Sequence, residues 1–253
     1  MCRHLGYLGP PAGLHGLLYQ APYSLSRQAY APRLQRNGRV NADGFGVGWY
    51  VDGRSEPVRY RRSQPLWTDV SFENVAQVLQ TGCVVAAVRC ATAGFPVEES
   101  GAQPFTVGPW LFSHNGRVDG FASIETRLRE LAGDAVTAPD ARAAVDSALL
   151  FAIAVGQWRA GASLADGLAY VVDRVTGLGA PAPGRLNLLA SNGRELAATA
   201  FGDTLFVREA DHAVVVASEP YDDEPGWRPV PQGSLVTASN AGIRITPLRR
   251  PSS

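Results

Sequence analysis

The chain has no lysine, so all 23 of its basic residues are arginine. This excludes a Schiff-base lysine and a P-loop lysine. Cysteine is sparse: Cys2, Cys83 and Cys90 are an odd number without C-x-x-C spacing, which argues against a disulfide framework or a zinc ribbon and favours a reducing compartment. The histidines, His4, His15, His114 and His212, show neither H-x-H nor H-E-x-x-H spacing, so no metal and no other cofactor is expected. Net charge is missing too, with 23 basic against 23 acidic residues, and nothing draws the chain to nucleic acid or to an anionic membrane. The longest apolar run, Leu149 to Val155, is too short to span a bilayer, and the N-terminus has no apolar signal core. A cytoplasmic protein without membrane or nucleic-acid partners is the expectation, its oligomeric state left open.

What is present begins at the N-terminus. Met1 is the single methionine, and Cys2 directly behind it is small enough to permit its removal. Cys2 would then carry a thiol and a free α-amine on one residue. An α-amine with a pKa of about 8 is a better base near neutrality than a lysine. Nucleophile and general base would share one residue, as in enzymes that use their N-terminus in place of a separate histidine. The alternative is an incidental cysteine at the start of a strand.

At 253 residues the chain is expected to form one large domain, residues 1–253. Cys2 to Leu8 reads as a strand ended by Gly9-Pro10-Pro11-Ala12-Gly13, because proline cannot donate to a ladder. In Asn41-Ala42-Asp43-Gly44-Phe45-Gly46-Val47-Gly48-Trp49-Tyr50 the glycines mark either a kinked strand entrance or a closely approached backbone. A helix is predicted over about 71–80. Cys83 to Cys90 is apolar on both alternating faces, as a strand sandwiched between layers should be. Arg89 shares the face of Val85 and Ala87, where an unpaired guanidinium would be very costly. Its role is a structural ion pair or a carboxylate clamp. Pro109 to His114 is a further strand running into Asn115-Gly116, a pair that forms either a tight turn or two converging donors for an oxyanion.

Helices are predicted over about 121–131, 139–158 and 163–175. Within the second, Asp146 has Ala143, Leu149, Leu150 and Ile153 as helical neighbours, so a carboxylate lies on the apolar stripe. It needs an internal arginine or a ligand ammonium. From Arg185 onward short strands recur to about Thr246. Strands, then helices, then strands imply two sheets with helical layers, an α+β architecture.

Cys2, VRCATAG (88–94), HNG (114–116) and VDS (145–147), in that order and spacing, resemble the class II glutamine amidotransferases. NADGFGVGWY, AQPF (102–105) and ASEPYDDEPGW (217–227) resemble the stand-alone subfamily that includes the ergothioneine-pathway amidohydrolase. The resemblance implies the four-layer αββα sandwich of the N-terminal nucleophile hydrolases and a small-molecule γ-glutamyl substrate. It implies Cys2 as nucleophile with its own α-amine as base, Asn115 and Gly116 as oxyanion hole, Arg89 for the substrate α-carboxylate, Asp146 for its α-ammonium, and His114 beside them on the substrate side. Members often carry histidine where Gln103 stands here. No synthase-like segment remains after the last strand, which favours a hydrolase over a glutaminase subunit supplying ammonia elsewhere, or over a non-enzymatic binder of γ-glutamyl compounds.

Overall fold

The computed structural model describes residues 2–36, 38, 40–178 and 184–248. Met1, on whose removal the free amine of Cys2 depends, lies outside the described residues. The strands are β1 Arg3–Gly13, β2 Phe45–Trp49, β3 Val58–Arg62, β4 Gln80–Val88, β5 Phe105–Val107, β6 Trp110–Arg117, β7 Arg185–Ser191, β8 Glu195–Ala200, β9 Phe206–Ala210, β10 Ala213–Ala217, β11 Arg228–Pro229, β12 Ser234–Ser239 and β13 Gly242–Pro247. The α-helices are α1 Leu25–Tyr30, α2 Val70–Ala76, α3 Phe121–Ala132, α4 Asp146–Arg159 and α5 Leu164–Gly177.

The strands form a seven-stranded sheet, β11-β9-β10-β1-β4-β2-β3, and a six-stranded sheet, β13-β12-β8-β7-β6-β5. Neighbours within each are antiparallel. Side-chain alternation sorts the apolar residues into three cores. Leu5, Phe45, Val84 and Val88 pack outward against α1 and α2. Val85, Val214 and Val216 face Leu111, Leu189 and Ala198 across the gap between the sheets. Phe112, Leu186 and Leu188 pack against α3, α4 and α5. The result is helix, sheet, sheet, helix, as the resemblance implied.

Several boundaries differ from expectation for local reasons. β1 continues through Pro10 and Pro11 to Gly13, because its pairing with β4 shifts register between Leu8 and Ala12 and the irregularity absorbs the missing donors. α2 ends at Ala76, and Gln80 already opens β4. The helix predicted over 139–158 is broken: a 3₁₀ turn spans Pro139–Arg142, Ala143 and Val145 are extended, and α4 starts at Asp146. β5 is a three-residue strand without a clear signature in the sequence. Among the described residues no helix is long and apolar enough to cross a membrane.

The glycines of β2 serve close approach rather than a kink. A Cβ at Gly46 would collide with the Gln103 carbonyl, and one at Gly48 would lie 2.6 Å from Leu111. Their absence lets the 101–104 segment lie flat on β2.

Candidate active site

A cleft of about 570 Å³ lies between the 50–55 and 192–194 turns and holds none of the candidate catalytic or substrate-binding residues named above. They gather instead at the opposite end of the sandwich. The start of β1, the end of β4, the end of β6 and the N-terminus of α4 meet there around a small hollow of about 20 Å³. Cys2, Arg89, Gln103, Gly116, Asp146 and Ser147 are on its wall.

Cys2 is buried, and its Sγ lies 4.0 Å from the Cys90 carbonyl oxygen. Burial pushes the thiol pKa up, with the positive charge of Arg89 and the Cys90 backbone pulling the other way. The resting group is a protonated thiol, so attack requires a base that takes the proton as the bond forms.

Arg89 directly follows β4 on the face predicted by alternation. Its guanidinium donates to the carbonyls of Pro96 at 2.9 Å and Asp43 at 3.5 Å, and it packs on Gly101, where a Cβ would lie 3.0 Å from its central carbon. Among the described residues no carboxylate forms an ion pair with it. The structural ion pair weighed from the sequence is therefore absent, and a cation only 5% exposed remains without an anion.

Asp146 is the first residue of α4, not a member of a mid-helix stripe. Its Oδ1 accepts from the Ser147 backbone N–H (2.7 Å) and hydroxyl (3.2 Å), and its Oδ2 from the Val118 N–H (2.8 Å). Among the described residues no internal arginine pairs with it. A carboxylate at a helix N-terminus is favoured by the helix dipole and by those donors, and it keeps acceptor capacity toward the hollow.

Asn115 and Gly116 form no turn. They belong to β6, opposite Asn187 and Leu186 of β7. A Cβ at Gly116 would collide with the Arg185 carbonyl oxygen, so only glycine lets β6 and β7 pair at this point. Asn115 faces the gap between the sheets and stands behind the wall of the hollow. Its Nδ2 donates to Ser218 Oγ at 3.3 Å, while its buried Oδ1 has no hydrogen-bond partner.

His114 differs from its expected placement on the substrate side. It is fully buried and absent from the wall of the hollow. One ring nitrogen meets Ser147 Oγ and the other the Arg185 carbonyl, each at 2.8 Å. Burial lowers its pKa, against the pull of Asp146. Its ring therefore ties the start of α4 to β6 and β7 and positions the two walls. Two polar residues that sequence reasoning did not assign also matter. Gln103 is on the wall, and Arg3 is fully buried with Asp203, Thr204 and Gln35 as partners at 3.7, 3.3 and 3.2 Å. Arg3's apolar strand context gave no hint of a partner 200 residues away. Among the described residues no three His, Cys, Asp or Glu side chains cluster to hold a metal.

The profile of the family described as "Glutamine amidotransferases class-II" matches residues 14–212. The chain is 44% identical over 251 residues to the gamma-glutamyl-hercynylcysteine sulfoxide hydrolase of Mycobacterium tuberculosis, covering 99% of this chain and 98% of that one. It is 43% identical over 248 residues to the enzyme of the same name from Mycolicibacterium smegmatis, covering 98% and 100%. Among solved structures, a glutamine aminotransferase class-II domain protein from Silicibacter pomeroyi superposes with a TM-score of 0.72 at 24% identity, over 98% of this chain and all of that one. The phosphoribosylpyrophosphate amidotransferase of B. subtilis matches with a TM-score of 0.65 at 17% identity, over 98% of this chain and 49% of that one. Those two likenesses are of fold. With the profile covering most of the chain and the mycobacterial relatives nearly all of it, this chain belongs to the class II glutamine amidotransferase family.

Proposed function

We propose that the chain hydrolyses a γ-glutamyl amide through a Cys2 thioester, with γ-glutamyl-hercynylcysteine sulfoxide as substrate and glutamate and hercynylcysteine sulfoxide as products. One observation carries the reading: a nearly buried cation and a nearly buried anion, Arg89 and Asp146, share the hollow of Cys2, and among the described residues neither has an opposite charge as partner. The head group of an α-amino acid supplies both, its carboxylate to Arg89 and its ammonium to Asp146. The substrate named for the mycobacterial relatives suggests the leaving group.

Once Met1 is removed, the Cys2 amine takes the thiol proton as sulfur attacks the γ-carbonyl. The tetrahedral oxyanion is held by the Gly116 N–H and the Asn115 carboxamide. For this Asn115 turns half a revolution about its last torsion. Ser218, whose Oγ accepts from the His4 N–H at 3.0 Å, then donates its hydroxyl proton to Oδ1, and the NH2 takes the place of the orphaned oxygen. The ammonium of Cys2 protonates the departing nitrogen as the C–N bond breaks, leaving a thioester. Water, deprotonated by the same amine, attacks that thioester, and glutamate leaves as the thiol regains its proton.

The test is product analysis with γ-glutamyl-hercynylcysteine sulfoxide and glutamine side by side, together with intact mass. Active protein without Met1, a γ-glutamyl adduct on Cys2, and a clear preference for the conjugate are expected. A preference for glutamine defeats the substrate assignment, and active protein retaining Met1 defeats the base. Cys2→Ala lowers turnover by about four orders of magnitude or more while leaving the melting temperature nearly unchanged.

A further inference from the structure

The mechanism above leaves Gln103 without a task, although its side chain is on the wall of the hollow and only 5% exposed. Its two polar atoms are used very unequally. Oε1 accepts from the Ser113 hydroxyl at 2.9 Å and from the His114 backbone N–H. A backbone N–H can only donate, so the oxygen must be the atom that faces β6, and the orientation of the carboxamide is fixed. Ser113 spends its proton on Oε1 and so accepts from His4 Nδ1, 3.3 Å away. Burial lowers the pKa of that imidazole to about 3, so it is the neutral ring that supplies the Nδ1 proton.

This directional chain of donors turns the Gln103 NH2 away from β6. Among the described residues that NH2 has no hydrogen-bond acceptor. The NH2 opens on the hollow instead, where an acceptor group of a bound substrate can take the place of solvent. A pure donor has nothing to offer an ammonium, which Asp146 already faces. Two residues earlier, Gly101 packs against the Arg89 guanidinium. The free NH2 is thus carried by the stretch of backbone on which the Arg89 guanidinium packs.

We propose that Gln103 is a specificity-determining residue whose Nε2 donates to the substrate α-carboxylate beside Arg89. The carboxylate is then held by one charged and one neutral donor, and substrates lacking it are rejected twice. This rests on the γ-glutamyl reading and deepens it.

The experiment is steady-state hydrolysis of γ-glutamyl-p-nitroanilide, with L-glutamate and 4-aminobutyrate as competitive inhibitors that differ only in the α-carboxylate. Gln103→Glu keeps an oxygen for Ser113 and His114 but replaces the donor with a second acceptor. It raises KM about tenfold or more while kcat changes less than about threefold, and it weakens glutamate by a similar factor but 4-aminobutyrate by less than about twofold. Gln103→His, with one ring acceptor and one donor, stays within about threefold of the parent. Equal weakening of both inhibitors, or of neither, overturns the assignment and leaves the γ-glutamyl reading standing. Parent enzyme that releases no nitroaniline sinks that reading and this one with it. Should Gln103→Glu fail to fold, Gln103→Met carries the same comparison: it must weaken glutamate and spare 4-aminobutyrate.

Discussion

Asp140 and Asp146 stand six residues apart and are 5% and 4% exposed, yet they are satisfied in opposite ways. Asp140 takes Arg59 and Arg61 together with the Thr106 N–H at 2.7 Å. It ties β3 to β5, its negative charge matched inside the protein by two guanidinium groups. Among the described residues Asp146 takes only N–H and hydroxyl donors, and Arg89 on the same hollow takes only carbonyls. Both groups are held in place without being neutralised. A fold that wanted only stability would join such charges to each other, because an uncompensated buried ion is expensive. Keeping them apart leaves one cation and one anion on a single hollow, the two charges that the proposed zwitterionic head group needs.

The sharpest way to break this comparison is to neutralise each carboxylate in turn. Asp146→Asn lowers kcat/KM toward a γ-glutamyl substrate at least about a hundredfold, since it removes the anion proposed to meet the ammonium. Asp140→Asn leaves activity per folded molecule within about threefold but costs about 2 to 4 kcal/mol of stability, because two arginines lose their anion. Denaturant titration and kinetics on the same samples separate the two, and a swap of these effects would refute the division of labour. A smaller effect belongs to Arg89→Lys, which keeps charge but loses the planar fork. KM rises about ten- to thirtyfold with little change in melting temperature.

The last effect leaves activity aside and concerns a buried group kept neutral. His4 is fully buried and its pKa is lowered from 6.5 to about 3 by desolvation, with Arg3 and His114 adding to the shift. The unfolded chain therefore binds a proton near pH 6.5 that the folded one refuses until about pH 3. Stability is complete above 6.5 and falls as pH drops through that window, by up to about 1.4 kcal/mol per pH unit for this residue. His4→Gln flattens the slope of denaturation midpoint against pH between 6 and 4; an unchanged slope would show that His4 does not carry it.

Much of the frame was legible because strand alternation is local. Val85 and Arg89 share a face by counting alone, and the structure keeps them there. Of the helical neighbours that single out Asp146, Leu149, Leu150 and Ile153 lie buried in α4 and only Ala143 falls outside it. The burial of Asp146 holds because α4 is apolar all round, with eleven buried residues in its fourteen. Asn115-Gly116 stayed open between turn and donor pair because the deciding fact, pairing with Asn187 and Leu186, comes from residues about seventy positions away. His114 shows the limit of motif reasoning: its neighbours in sequence belong to the site, but its own parity turns it toward Ser147. The network joining His4, Ser113 and Gln103 was invisible for the same reason, since no local pattern brings β1, β6 and the 101–104 segment together.

A chain terminus normally frays, and a reagent placed on one would sample many positions. Here the residue after Cys2 already belongs to β1, and β1 is hydrogen-bonded on both flanks, to β4 from Arg3 and to β10 from Leu5. Setting the sulfur adrift would mean unzipping an interior strand from two neighbours at once. The least anchored part of a polypeptide is thereby given the mechanical footing of the sheet's middle, and its amides should exchange with solvent on the timescale of global opening.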